Sequence, residues 1–482
     1  MDSRSSAPMN DIHTANPTSA AWSNLFRDGR GLYTALVLGG VFMQALQVQV
    51  ISIIMPTVVG DIGGAAYYTW AAMTYTVGTI IGTASLGPLW TRFGQRAGYA
   101  LAGLAFLAGT IACAMAPDMA TLIVARAVQG YGGGLIAGGA MALIGTLFEE
   151  RLRPRILAMY QGCWTTSHLC GPVVGGLLAE IGWWRGSFWV VTPLILAFSV
   201  FAWTKLPDRP AERSTRAPSG PFPVRRLAVL AGGVIAIAAA GPVSGTALRV
   251  ALVAGGTALL WLAFRLDRGK ANRLFPTGAF AFRAPLGVAI WIQFIGGAVQ
   301  TAYIVFLPLL LQIVHGVTPM FVSFVNMTIS FGWTVGSFGV SGWSGRRERL
   351  ALLMGPPLIL VGGLGMAATA QLPVLAVTTV AAFVLGVGMG IHTVPLVART
   401  MATAMPGEER ITASAMPTIR SLGVACGAAI AGLLSSVAGL GETLDPQAVG
   451  GAVTFVYGCQ LAPSLVMTWL MFRLVRIGMP KA

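Results

Sequence analysis

Residues 170–178 read Cys-Gly-Pro-Val-Val-Gly-Gly-Leu-Leu, and residues 426–434 read Cys-Gly-Ala-Ala-Ile-Ala-Gly-Leu-Leu. A Glu-Glu-Arg triplet precedes each, at 149–151 and 408–410, and a three-residue gap brings the two into register. Each copy falls in the fifth apolar run of a set of six. Two like stretches at equivalent places predict a chain built from two related halves running in the same direction. Composition then fixes what the halves are made of. Of 482 residues, 55% are hydrophobic and only 10% charged, with a mean hydropathy of +0.74. An ordinary soluble domain carries about 25% charged residues. A chain this poor in polar surface is neither a cytosolic enzyme, a disordered scaffold nor a secreted disulfide module. It reads as an all-α polytopic membrane protein, and its 62 glycines suit closely packed membrane helices.

Runs of roughly 20 apolar residues are needed to cross a bilayer. Fourteen candidates lie near 33–58, 67–89, 97–116, 119–147, 156–180, 185–204, 227–243, 248–264, 286–313, 318–341, 350–371, 373–397, 411–438 and 450–472. The implied layout is a cytoplasmic tail (1–30), a six-helix bundle (31–204), a cytoplasmic linker (205–226) and an inserted hairpin (227–264). A second linker (265–285), a second six-helix bundle (286–473) and a tail (474–482) follow. The first linker, KLPDRPAERSTRAPSGPFPVRR, is rich in proline and charge and reads as flexible. With both termini in the cytoplasm, 27 of the 31 Lys and Arg residues fall on cytoplasmic segments. Only Arg185 and Arg249 fall on outer loops, which is the positive-inside pattern. An odd number of spans would invert half of it; twelve spans would not, since the hairpin enters or leaves as a pair.

The net charge of +15 is spread over short loops, so it speaks for a membrane topology and against nucleic acid. Cys113, Cys163, Cys170, Cys426 and Cys459 lie in apolar runs with no C-x-x-C pair, which indicates neither a disulfide framework nor a metal site. The polar first thirty residues lack a cleavable signal pattern, so the first span is expected to serve as the signal.

Three segments carry sharper patterns. The connection between the second and third spans contains Gly87-Pro88-Leu89-Trp90-Thr91-Arg92-Phe93-Gly94-Gln95-Arg96. Gly87 and Gly94 permit a tight turn, while Arg92 and Arg96 suit lipid headgroups or the carbonyl ends of helices. The fourth span carries Arg126 four residues before Gly130, with Gly132, Gly133 and Gly134 beyond. A charge at membrane depth costs about 2.5–3.5 kcal/mol on insertion scales and marks a functional position by default; the alternative is structural pairing with backbone carbonyls. The fifth span carries His168, Gly171, Pro172, Gly175 and Gly176. Pro172 leaves the His168 carbonyl without its helical donor and should kink the helix there. His168 then either titrates near physiological pH or stays neutral and bonds within the bundle.

These segments together resemble the major facilitator superfamily, and in particular its fourteen-span drug:proton antiporter-like branch. The turn resembles that family's loop signature, with Thr91 where Asp is usual. The Arg126 segment resembles its second signature, and the Gly171–Gly176 segment its antiporter signature. The first span, with Gln44, Gln47 and Pro56, aligns with the branch's first-span pattern, but Gln47 stands where Asp is typical. Arg420 to Gly423 resembles its Arg-x-x-Gly segment. The resemblance implies two bundles that rock about a central site and export driven by protons. It implies a small-molecule substrate, no cofactor, no enzymatic activity and a multi-pass place in the inner cell membrane. A periplasmic adaptor is left open.

The sixteen acidic residues qualify that inheritance. Eleven fall on cytoplasmic segments, and Asp61, Asp118, Glu180, Glu442 and Asp445 fall at outer ends. Arg126, Arg420 and His168 therefore face no carboxylate at their depth. The expected pathway residues are these three with Gln44, Gln47, Gln293, Gln300, Tyr303 and Asn326. An electropositive cavity favours a neutral or anionic amphiphile over a cation. Uptake symport of an anionic metabolite is the alternative within transport; a non-transporting membrane sensor or assembly factor is the alternative outside it.

Overall fold

The computed structural model describes residue 25 and residues 30–149, 152–207, 223–268, 270, 273–403, 405, 408–441 and 444–477. Most of the 1–30 tail, most of the 205–226 linker, Glu150 and Arg151 of the first triplet, Glu442 and the chain end beyond 477 lie outside the described residues. The described chain is helical throughout. The first half comprises α1 (Arg30–Ile62), α2 (Trp70–Ala114), α3 (Met119–Leu147), α4 (Arg153–Glu180), the short α5 (Gly186–Trp189) and α6 (Thr192–Lys205). A hairpin of α7 (Val224–Ala239) and α8 (Thr246–Asp267) follows. The second half comprises α9 (Pro285–Leu309), α10 (Pro319–Gly339), α11 (Arg346–Thr369), α12 (Leu375–Ala402), α13 (Glu409–Val437) and α14 (Pro446–Ile477).

α2 is two legs in one. At Gly94 the backbone turns through φ 80°, ψ 170°, a conformation that favours glycine, so the expected turn between the second and third spans is in place. Ten helical stretches are long and apolar enough to cross a membrane, and the 65–114 stretch is one of them. α4, α7 and α10 are not among them. α7 is only 16 residues long. α4 and α10 carry polar side chains along their length, among them Gln161, Ser167 and His168 on α4 and Ser323, Asn326 and Thr328 on α10. Polar and large apolar side chains alternate on α10, where Phe321, Phe324, Phe331 and Phe338 remain exposed.

The repeat seen in sequence recurs in the packing. α1 packs on α4 as α9 packs on α13, and α10 packs on α12 as the first leg of α2 packs on α3. The second leg of α2 packs on α3 and α6 as α11 packs on α12 and α14. Glycines set these approaches. A Cβ on Gly130 would sit 2.1 Å from the Tyr75 carbonyl, and one on Gly336 would sit 2.5 Å from the Val387 carbonyl.

Side-chain bonds tie the helix ends into two groups. At the end where α1 begins and α14 finishes, Arg30 meets Glu149 at 2.6 Å, and Arg399 meets Glu348 at 2.5 and 2.7 Å. At the far end, Asp61 accepts from Trp184 at 3.0 Å and from Arg185 at 2.6 Å, while Arg185 also donates to the Ala116 carbonyl. Arg249 donates to the carbonyls of Ala240, Gly241 and Val243 at the end of α7. The two arginines expected on the outer side are thus both engaged locally.

The hairpin docks on the second half. Gly233 and Gly256 bring α7 and α8 into backbone contact, each built Cβ falling 2.9 or 2.7 Å from the other glycine's carbonyl. α7 packs against α13, and its Leu227, Leu230 and Val234 share an apolar cluster with Met73, Val77 and Ile80 of α2. The 265–285 connection is ordered over its described residues. Buried Asp267 pairs with Arg226 and accepts from the Leu274 and Phe275 backbone. Phe264, Phe275, Phe280, Phe282 and Trp291 form one aromatic cluster beside it.

Candidate functional site

The two deep arginines have different surroundings. Arg126 lies on α3 and is fully buried, at 0% exposure. Its Nε donates to the Ala71 carbonyl at 3.3 Å and one terminal nitrogen to Gln129 Oε1 at 2.5 Å. The guanidinium stacks over the Tyr75 ring at 4.2 Å. Gln129 in turn donates to Thr110 at 2.9 Å and to Gln47 Oε1 at 3.4 Å, and Gln47 donates to the Ser187 carbonyl at 2.9 Å. This network joins α1, α2, α3 and α5 inside the first half. Neutral amides occupy the places around a charge that acids could have filled. Gln129 lies three residues from Arg126, on the same helical face, which is the signal by which it could have been foreseen. Thr110 gave no such signal.

Arg420 lies on α13 and lines a cavity in the second half. Gln293, Gly296, Gly297 and Gln300 of α9, Trp333 of α10, Ile359 of α11, and Met389, His392 and Thr393 of α12 complete it. It has a volume of about 10 Å³, room for one water-sized group. Arg420 donates to Gln300 Oε1 at 2.5 Å and stacks over the Trp333 ring at 4.5 Å. Among the described residues it pairs with no carboxylate. His392 Nδ1 lies 2.7 Å from the Gly388 carbonyl. A carbonyl only accepts, so Nδ1 carries a proton in this contact and, in the neutral ring, Nε2 is the acceptor. Thr393 donates to the Met389 carbonyl at 2.6 Å. His168 of α4 in the other half packs its ring against Trp164, and both it and His392 lie within electrostatic reach of Arg420.

The other expected residues divide among packing positions and the cavity. Gln293 and Gln300 line it. Tyr303 is buried in the second half, against Tyr457 and over Gly363. Gln44 packs near Tyr75 and Gly133, and Asn326 is buried on α10; each has a carbonyl oxygen without a partner. Thr91 donates to the Gly87 carbonyl at 2.9 Å, so no charge sits at that turn position. Arg92 stacks on Phe93 and Arg96 on Trp203. Arg153 donates to the Phe148 and Gly145 carbonyls at the end of α3.

Contacts between the halves gather toward the far end. Helix α4 continues through Pro172. Ser323 of α10 donates to the Pro172 carbonyl at 2.5 Å, and the Met320 N–H donates to Glu180 at 3.1 Å. Gly171 packs on Gln49, Gly175 on Val50, and Gly176 on Pro319 and Ser323. Tyr68 donates to the Val305 carbonyl, Gln312 donates to the Ile53 carbonyl, and Gly432 packs on Thr69. The glycines of the fifth span therefore serve both the α1 contact within the first half and the α10 contact across to the second.

Two like bundles, a cavity facing between helices and closure at one end describe a membrane carrier. The Major Facilitator Superfamily model matches residues 37–428, and the chain belongs to that family. It is 28% identical over 454 residues to a probable multidrug-efflux transporter of Mycobacterium tuberculosis, covering 92% of this chain and 95% of that one. It is 26% identical to the multidrug transporter protein MdtP of Bacillus subtilis, covering 81% and 72%. Its fold is similar to a D-xylose-proton symporter (TM-score 0.61, 15% identity, 91% and 97% covered). It is also similar to the nucleoside transporter NupG (TM-score 0.61, 10% identity, 92% and 99% covered). The protein is a multi-pass membrane transporter.

Proposed function

We propose that this chain is a secondary active exporter that moves a neutral or anionic amphiphilic small molecule outward in exchange for protons, by alternating access. The observation that carries the reading is Arg420 lining a cavity with no carboxylate partner among the described residues. A guanidinium in low dielectric attracts anions and repels cations. The efflux names of the relatives support the direction. The reading places fourteen spans in the inner cell membrane, with the terminal end in the cytoplasm and the contacts of Pro172, Glu180 and Gln312 on the outer side. The cavity would then be reached from the cytoplasm in this state. The domain boundaries follow the two bundles and the hairpin between them. His168, near Arg420 and on the opposite half, is the protein's candidate proton carrier, unless the substrate brings the proton itself. Arg126 holds the first half together rather than meeting substrate.

Everted membrane vesicles test this. Energising them should drive saturable accumulation of an anionic amphiphilic dye, and a protonophore should abolish it. Preferential accumulation of a quaternary ammonium dye would sink the substrate class. Uptake symport of an anionic metabolite, which the missing membrane acids also suit, would appear as accumulation in right-side-out vesicles instead.

A further inference from the structure

We infer that the Arg420 cavity is a carboxylate subsite: it takes the head of an amphiphilic monocarboxylate against the guanidinium and Gln300, with the apolar body against Ile359, Met389 and Met467. This rests on reading the cavity as the substrate site and narrows the substrate to one chemical class. Four observations converge on it. Arg420 spends one terminal nitrogen on Gln300 and its face on Trp333, which leaves further N–H donors of its planar fork. Gln300 accepts from Arg420 through its oxygen, so its amide N–H groups remain to donate. The lining holds no acid that would neutralise the guanidinium, and a desolvated charge lacking its counterion is relieved by a ligand that brings one. Finally, the opposite side is soft and apolar. Gly296 opens the wall there, since a Cβ at that position would meet only Met467 Sδ, at 3.6 Å, and methionine adapts to varied apolar shapes. The space left beside Arg420 is about 10 Å³, room for one water-sized group, so in this state it admits an oxygen of the head group, and the apolar body enters as the surrounding helices part. The charge recognition is confined to one half, because the first half's arginine is sealed by its own amides.

The test is equilibrium binding to the purified full-length protein in lipid nanodiscs, using naphthoate, its amide and naphthylmethylammonium. Naphthoate should bind saturably, and the amide and the cation about tenfold more weakly or worse, as expected for losing a charge-assisted hydrogen bond. R420Q should weaken naphthoate by a similar factor and erase the preference over the amide, while R420K keeps part of it. G296L, which fills the cavity from its open wall, should abolish naphthoate binding with an unchanged melting temperature. Equal binding of cation and anion, or naphthoate binding unaltered in both R420Q and G296L, would overturn the assignment. Naphthoate binding without flux in everted vesicles would leave the subsite standing and remove the export reading.

Discussion

Arg126 and Arg420 look alike in the sequence, each a lone arginine in a glycine-rich apolar run. Their neighbours separate them. Arg126 supports a network, so R126A removes the donor at 2.5 Å from Gln129 Oε1, leaving it only the weak Cys113 thiol at 3.8 Å, and should cost about 1–3 kcal/mol. Thermal unfolding in nanodiscs should fall by several degrees while naphthoate affinity stays level. Arg420 should show the reverse: R420Q loses affinity, but its melting temperature holds or rises, because removing an uncompensated charge relieves its desolvation. Matching losses of stability in both variants would contradict the distinction. His168 adds a third signature. H168A should flatten the pH dependence of transport at unchanged binding, whereas R126A should leave that dependence intact in whatever protein remains folded. The sequence revealed that both charges were deep and unbalanced by acids. It did not reveal which was sealed, because sealing depends on Gln47, Thr110 and Ser187, residues far from Arg126 along the chain.

At the level of helices, glycine spacing decided the architecture. Gly130 and Gly134 each bring α3 within carbonyl distance of α2, at 2.1 Å for a built Cβ in both cases. G130V should therefore prevent accumulation of folded protein, while G87A, with nothing within 4 Å, should be tolerated; fluorescence size-exclusion profiles would read both. At the start of α13, Glu408 is drawn two ways. Burial pushes its carboxyl up, but the Thr277 hydroxyl and N–H and the Arg273 guanidinium outweigh this and hold it below the usual glutamate range. A depressed carboxyl stabilises the fold above its unfolded-state value and loses that contribution as pH falls through its native value. The protection of the Thr277 amide, its exchange taken relative to the intrinsic rate at each pH, should accordingly fall at acid pH, and E408Q should remove the pH step. The helices themselves were largely legible from apolar runs and from the Gly94 turn. The placing of α4 and α10 was not legible, since a run taken alone does not show whether it meets lipid or another bundle.

Across the whole molecule, the duplication visible in two nine-residue stretches proved a reliable guide: helix pairing in one half repeats in the other. The inserted hairpin breaks that duplication. α7 rests on α13 yet shares its apolar face with Met73, Val77 and Ile80 of α2, so it straddles one of the two flanks along which the halves meet. The α4–α10 flank carries no such wedge among the described residues. Opening and closing should then be lopsided, like a book whose spine lies off centre. Spin-label distances across the α4–α10 flank should spread more widely between ligand-free and ligand-bound samples than those across α2–α13. Equal spread on both flanks would show that the hairpin is a passenger and not a hinge stop.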